Sequence, residues 1–567
     1  MKKAEEIRLN CQDAVYSNDF YDILVNNVDI VQDAESICSQ GLGRDYKVYY
    51  VNREEVPPLS INTYYHTSIP KLYTTLDQTS LEESGIIRVQ NQRNLELKGR
   101  GILIGFVDTG ISYQNSGFRN EDGSSRIIAI WDQTRPSEHP PKDFIYGTEY
   151  LKSDVDYALS QPNPLDFVPE TDENGHGTML ASIAAGSEDL ENDFIGVAPF
   201  SEIAVVKLKP AKQNLRDFYY IKERAVAFQE NDILAGIEYL GRLADERQQP
   251  LVICFGLGNN QGDHGEAGRL ASVLDAMAVK RRNAVCIAVG NEANARHHYY
   301  GSLSPSTSDI VEMNVTENMR GFHMELWANA PEIFSLSLIS PTGEVLPRVP
   351  VFSNQQQRHT FLLENTTVII NYQAGGLRSR NQLIHIEFQN PAEGIWKFEV
   401  FPSVVYSGNF HMYLPMTDFL EEEVFFLHSN PDTTLTIPSG AALPMTVAGY
   451  NAYTGGAYLD SGRGYSLEGT INPDFAAPAV NVFAQDNRGN YGTITGTSAA
   501  AAIAAGASAL LLEWNIGYIN NPIVNSLEIK NQLINGTMQM PNQLYPNRME
   551  GYGRLNLYQT LLRMRNV

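Results

Sequence analysis

Gly101-Ile102-Leu103-Ile104-Gly105-Phe106-Val107-Asp108-Thr109-Gly110 is the stretch on which the reading of this chain turns. An uncharged run ends on a carboxylate, and a glycine-bearing turn follows. The run is apolar at every position rather than at alternate ones, which predicts a strand buried on both faces, as in a parallel sheet covered by helices on each side. A carboxylate ending such a strand either caps a turn or serves chemistry at the carboxyl edge of the sheet, where open α/β sheets hold their ligands.

Two later motifs favour chemistry. Asn174-Gly175-His176-Gly177-Thr178 and Gly496-Thr497-Ser498-Ala499-Ala500 each open an apolar segment with helical spacing, over 179–186 and 499–514. Taken singly, Ser498 reads as an ordinary helix N-cap, His176 as a satisfied histidine and Asp108 as a turn residue. Together they supply what a hydroxyl nucleophile needs: a base within hydrogen-bond reach and a carboxylate to orient that base. The expected roles are Ser498 as nucleophile, His176 as base and Asp108 as orienting acid. The Ser498 N–H, at a positive helix end, faces a developing oxyanion. Phe255-Gly256-Leu257-Gly258 ends another apolar run. The small residues Gly256 and Gly258, flanking Leu257, leave the backbone open to pair with an extended substrate.

Strand-like runs at 203–208, 251–255 and 284–289 alternate with helical spacing such as 232–246, the signature of a parallel sheet. From about 309 to 440 the texture changes to short alternating runs, among them 322–327, 334–339 and 396–400, parted by turn signals. This predicts an inserted all-β jelly roll or sandwich. Residues 1–76 mix strand-like runs, 21–25 and 46–51, with short helical stretches and predict a small α+β unit. The expected division is 1–76, 77–308, 309–440 and 441–567, with the second and fourth segments forming one α/β domain.

Acidic residues number 66 against 42 basic ones, a formal charge of −24. That balance argues against non-specific binding to nucleic acid or to an anionic membrane, and neither is expected as a partner. No run reads as a membrane-spanning helix, and no apolar segment follows Met1-Lys2-Lys3 to make an ordinary secretory signal. Cys11, Cys38, Cys254 and Cys286 are expected to be reduced and buried. His264, His297 and His298 lack acidic or thiol partners at ligand spacing, so neither a metal nor another cofactor is expected.

With these motifs in order, the chain resembles the subtilisin-like serine peptidases, in which acid, base and nucleophile follow one another as Asp, His, Ser. The likeness covers roughly 100–305 and 445–565 and includes the stretch from Ser461 to Pro478 that precedes the serine motif. More narrowly, it resembles the clostridial Csp-type germination peptidases and their relatives. The resemblance implies a serine endopeptidase acting on protein or peptide substrates, with Asn291 of Ala288-Val289-Gly290-Asn291 donating its side-chain amide to the oxyanion. It also implies that the N-terminal segment is a prodomain, a bound partner that the enzyme cuts from itself between about Leu72 and Gln78. The implied location is cytoplasmic or spore-associated, with non-classical export as the route outward. Two departures stand out: Ala499 where the family often has Met, and Ala502 where it often has Pro. Neither moves a proton. Competing readings are a non-catalytic sensor in spore germination, which the complete triad opposes, and a carbohydrate-binding role for the β insertion.

Overall fold

Leu103–Asp108 is a strand with every residue buried, in the interior of an eight-stranded sheet. The structure is a computed structural model. It describes the whole chain except residues 1–10, 27–37, 44, 76–83, 91, 93–94, 138, 266–267, 352–355, 375–380 and 565–567. Across the sheet the strands run Phe475–Pro478, Met445–Tyr450, Asn283–Ala288, Leu251–Phe255, Leu103–Asp108, Glu202–Lys207, Ile127–Asp132 and Thr148–Leu151. All neighbours pair in parallel except the last two. One face of the sheet packs on the helices His176–Ala185 and Thr497–Glu513, the other on Glu230–Arg247 and Arg269–Ala278. Helices on both faces are why the central strands are apolar at every position.

The helical stretch Thr497–Tyr518 is, by length and composition, apolar enough to cross a membrane, contrary to the reading that no run is. Its most apolar window is 83% buried inside the protein. A helix that is apolar all round is what a core position between two layers requires.

The N-terminal segment forms a three-stranded antiparallel sheet in the order Phe20–Asn26, Tyr46–Asn52, Cys38–Leu42. Leu24, Leu42, Tyr46, Val48 and Tyr50 from this sheet share a core with the Glu230–Arg247 helix. Asp22, buried in the seam, pairs with Lys212 Nζ at 2.5 Å and accepts from the side-chain amides of Gln229 and Asn231. The expectation of four free thiols is corrected here: Cys11 and Cys38 form a disulfide, because the helical turn 11–16 and the edge strand bring their Cα atoms to 5.1 Å. Cys254 and Cys286 are free and buried, and burial pushes the Cys286 thiol up to about 12.

Strands from His298–Ser302 to Val424–Phe426 make two antiparallel sheets, of six and five strands, around their own apolar core. The insertion therefore begins ahead of 309, and its last strand lies well before 440.

Near the sheet's far edge, Asp474 is buried. It accepts from Thr446 N and Oγ1 and pairs with Lys530 Nζ at 2.8 Å. Lys530 also donates to the carbonyls of Ala442 and Pro444. Burial raises the Asp474 pKa, so the carboxylate depends on that cation. Lys530→Met is expected to cost about 3–5 kcal/mol of stability at neutral pH, because it leaves a buried charge without its partner. Thermal unfolding measures this; an unchanged midpoint would contradict it.

Candidate active site

Three segments far apart in sequence converge at the carboxyl edge of the sheet. Asp108 ends its strand 2% exposed, a position that costs free energy unless every lone pair in use meets a donor. Its Oδ1 accepts from Thr109 N at 2.8 Å and lies 2.7 Å from His176 Nδ1. On the other side of the ring, His176 Nε2 lies 3.1 Å from Ser498 Oγ. The carboxylate on Nδ1 fixes that nitrogen as the N–H, which leaves Nε2 as a base facing the hydroxyl.

The backbone around His176 accounts for its position. His176 is the first residue of its helix, and the chain just before it is tied down by Asp172. Asp172 Oδ1 accepts from Gly175 N at 2.8 Å, and Oδ2 accepts from Thr178 N at 2.9 Å and from Thr178 Oγ1. Thr109 Oγ1 accepts from Gly177 N at 2.9 Å, so the Asp108 turn and the His176 helix are also joined directly. A Cβ on Gly177 would sit 2.4 Å from the carbonyl of Gly110, so only glycine allows the helix so close to the strand. Beneath this turn, Glu170 accepts from Ile111 N, and burial raises its pKa well above the usual carboxylate range.

Ser498 is the second residue of its helix, fully buried, so its N–H has no carbonyl within the helix to bond. Asn291 lies beside it. The Asn291 amide oxygen accepts from Thr497 N at 3.1 Å and from Thr497 Oγ1 at 3.2 Å, and that hydroxyl in turn accepts from Gly290 N. With its oxygen held, the NH2 of Asn291 is the group left to donate. The next residue, Glu292, is buried and gathers His297 Nδ1 at 2.8 Å, Asn260 Nδ2 and Thr417, anchoring the Asn291 loop to a connection within the β insertion.

Gly256, Leu257 and Gly258 follow the strand Leu251–Phe255. Leu257–Gly258 pairs antiparallel with Leu72–Thr75, and Leu72–Thr75 pairs on its other edge with Phe228–Gln229. The N-terminal segment thus supplies the middle strand of a three-stranded sheet. The roles of Asp172, Glu292 and Phe228–Gln229 were missed in the sequence. Asp172 left a trace, as an Asx residue shortly before a helix start; the other two left none. His264 stacks on Tyr413 at 3.6 Å between centroids, and His298 stacks on His411.

The subtilase family profile matches residues 99–357 and 388–553, well over half of the sequence, and the break falls within the β insertion. The chain belongs to the subtilase family. Among solved structures, this subtilase is similar to that of the Clostridium perfringens CspB protease, with a TM-score of 0.76 and 27% identity over 85% of this chain and 97% of that one. Among curated proteins it is similar to subtilisin-like protease SBT3.13 of Arabidopsis thaliana, 21% identical over 76% of this chain and 56% of the relative. It is also similar to SBT3.12 of the same plant, 26% identical over 26% of this chain and 20% of the relative. The chain spans less than two thirds of the length of these plant relatives.

Gly256 tests how tightly the subtilase site is packed. A Cβ there would lie 2.8 Å from Leu180 Cδ1, 3.1 Å from Ser498 Cβ and 3.3 Å from His176 Cε1. Gly256→Ala should therefore displace the imidazole from Ser498 and lower kcat by roughly 10²-fold, the scale of a misplacement of about an ångström. Turnover of a peptide substrate, with circular dichroism as the folding control, decides it. An unchanged kcat would mean that the site yields freely.

Proposed function

We propose that this subtilase is a serine endopeptidase that hydrolyses peptide bonds in extended protein segments, and that its first substrate is its own N-terminal unit. The observation that carries this reading is Leu72–Thr75, held as a middle strand between Leu257–Gly258 and Phe228–Gln229. Backbone pairing on both edges is how a peptidase groove accepts an unfolded chain. The register sets Thr74 opposite Gly258 and Thr75 opposite Leu257. Gly256, the residue before that paired strand, packs against Ser498. The reading therefore assigns the scissile bond to Leu76–Asp77, within the expected interval from Leu72 to Gln78. Residues 76–78 lie outside the described residues.

In the proposed reaction Ser498 Oγ attacks the carbonyl carbon while His176 Nε2 takes the hydroxyl proton. Asp108, bonded to Nδ1, stabilises the imidazolium that forms. The carbonyl oxygen gains negative charge and is received by Asn291 NH2 and the Ser498 N–H. His176 returns the proton to the leaving amine, an acyl-serine remains, and water activated by the same imidazole releases it. The likeness to the Clostridium perfringens CspB protease, which this chain spans nearly in full, supports the same reading.

Two outcomes are expected. The purified protein should run as two fragments with a new N-terminus at Asp77, whereas Ser498→Ala should stay full length and lose turnover by about 10⁶-fold. A single full-length band from an active protein would refute self-cleavage, and near-normal turnover in Ser498→Ala would refute the mechanism. Asn291→Ala should lower kcat by roughly 10²–10³-fold with little change in KM, because its donor acts on the charged intermediate. A change confined to KM would make Asn291 a substrate-pocket residue instead.

A further inference from the structure

The N-terminal unit, the α/β domain and the β insertion meet at a buried cluster of charge. His66 and Lys71 come from the segment leading into Leu72–Thr75. Glu325 comes from the insertion strand Gly321–Ala328, and Tyr219 from the α/β domain. His66, Lys71 and Glu325 are 4%, 8% and 1% exposed. Glu325 Oε1 lies 2.6 Å from His66 Nε2, and Oε2 accepts from Gly262 N at 2.7 Å and from Trp327 Nε1 at 2.8 Å. Lys71 Nζ donates to the His66 carbonyl at 3.0 Å and to the Tyr219 hydroxyl at 3.4 Å. The ring nitrogens of His323 and His385, also in the insertion, meet at 2.8 Å, and the His385 ring lies 6.1 Å from that of His66. Asp263 completes the set of charges acting on His66.

At neutral pH the Glu325 carboxylate acts on the Lys71 ammonium, which Glu230 and Arg269 also reach, while Asp263 acts on His66 and Glu387 on His323. Burial works to raise Glu325, but His66 and Lys71 outweigh it and hold the carboxyl well below the usual range. Burial brings Lys71 down to about 8, so it stays charged at neutral pH. Burial, reinforced by Lys71, pushes His66 down, and burial does the same to His323 and His385. A neutral His66 donates from Nε2 to Glu325 and closes the arrangement. A buried pair of this kind contributes little net stability when complete, but removing either partner is strongly destabilising.

We infer that Glu325 on the β insertion is a latch for the N-terminal unit, recognising a buried His and Lys five residues apart, and that this latch loosens on acidification. The partner that this face of the insertion fits is thus the protein's own cleaved N-terminal fragment, an inference that rests on the self-cleavage reading above. The direction with pH follows from the histidines. Their folded pKa values are lowered, so the separated fragments bind more protons, and the contribution to docking is present above about pH 6.5 and lost as pH falls below it. Added protons have nowhere good to go. His385 Nδ1 has no hydrogen-bond partner among the described residues, and a proton added to Nδ1 of His66 makes the ring a cation whose Nε2 lies 2.9 Å from the Lys71 ammonium. Each further histidine protonated weakens docking about tenfold per pH unit.

The test is retention of the cleaved N-terminal fragment by the rest of the protein, followed by native mass spectrometry at about pH 7.5 and about pH 5.5, either side of the histidine range. The wild-type protein should keep its fragment at the higher pH and shed it at the lower. Glu325→Gln and Lys71→Met, each leaving one buried charge unmatched, should shed it at both. The double variant, neutral on both sides, should hold it better than either single variant. Retention of the fragment by a folded Glu325→Gln protein as tightly as by wild type would overturn the latch. Equal wild-type retention at both pH values would overturn its acid sensitivity. If the chain proves uncut, the self-cleavage reading fails by itself. The latch is then read from hydrogen exchange over 58–75 in the intact chain, which Glu325→Gln should accelerate; unchanged exchange would refute it.

Discussion

A carboxylate buried at the end of a buried strand is the constraint on which the rest of this structure depends. A carboxylate is costly there unless donors reach it, and Asp108 meets the N–H of its own turn and the imidazole of His176. For the imidazole to arrive at 2.7 Å, its helix must begin against the strand end, and Gly177 lets the two backbones touch. Asp172 and Thr109 then hold that helix start in register with the strand. The Thr497–Glu513 helix, packed between the same layers, sets Ser498 on the free side of the ring. The geometry that sets a serine hydroxyl beside an imidazole and a carboxylate is thus a consequence of burying one charge well.

The groove beside that centre is built from several parts of the chain. Leu257–Gly258 and Phe228–Gln229 provide two open strand edges in the α/β domain, and the N-terminal unit inserts the strand that satisfies both. Open edges invite pairing, and covering them is a standard protection. The seams are polar at their centres. Asp22 meets Lys212 on one side, and on the other Glu325 meets His66, which Lys71 also contacts. Such pairs add little to net stability, but they penalise every arrangement in which one partner is buried alone. They fix where the N-terminal unit sits more than how firmly the chain folds. The β insertion, with a core of its own, takes part in this through one strand and through Thr417, in the connection between its strands Asn409–Tyr413 and Val424–Phe426.

The sequence by itself determined the α/β class, the strand ending at Asp108, the helix beginning at His176, the helix with Ser498 in its first turn, and the change to all-β texture in the middle of the chain. Each of these is written locally, in apolar periodicity, in glycine at a tight turn or in alternation of period two, so each could be read without knowing what lay across the core. The order of Asp, His and Ser added the chemistry, because few other purposes bring those residues to strand and helix ends in that setting. Only the tertiary structure decided the rest. The Cys11–Cys38 disulfide, the pairing of Leu72–Thr75 in the groove, the support that Glu292 gives to Asn291 and the Glu325 cluster all join residues far apart in the chain. A cysteine, a glutamate or a histidine in a strand looks the same whether it faces water, a partner or another charge. What separates these cases is desolvation and the donor placed opposite, and both come into being only when distant segments close on one another.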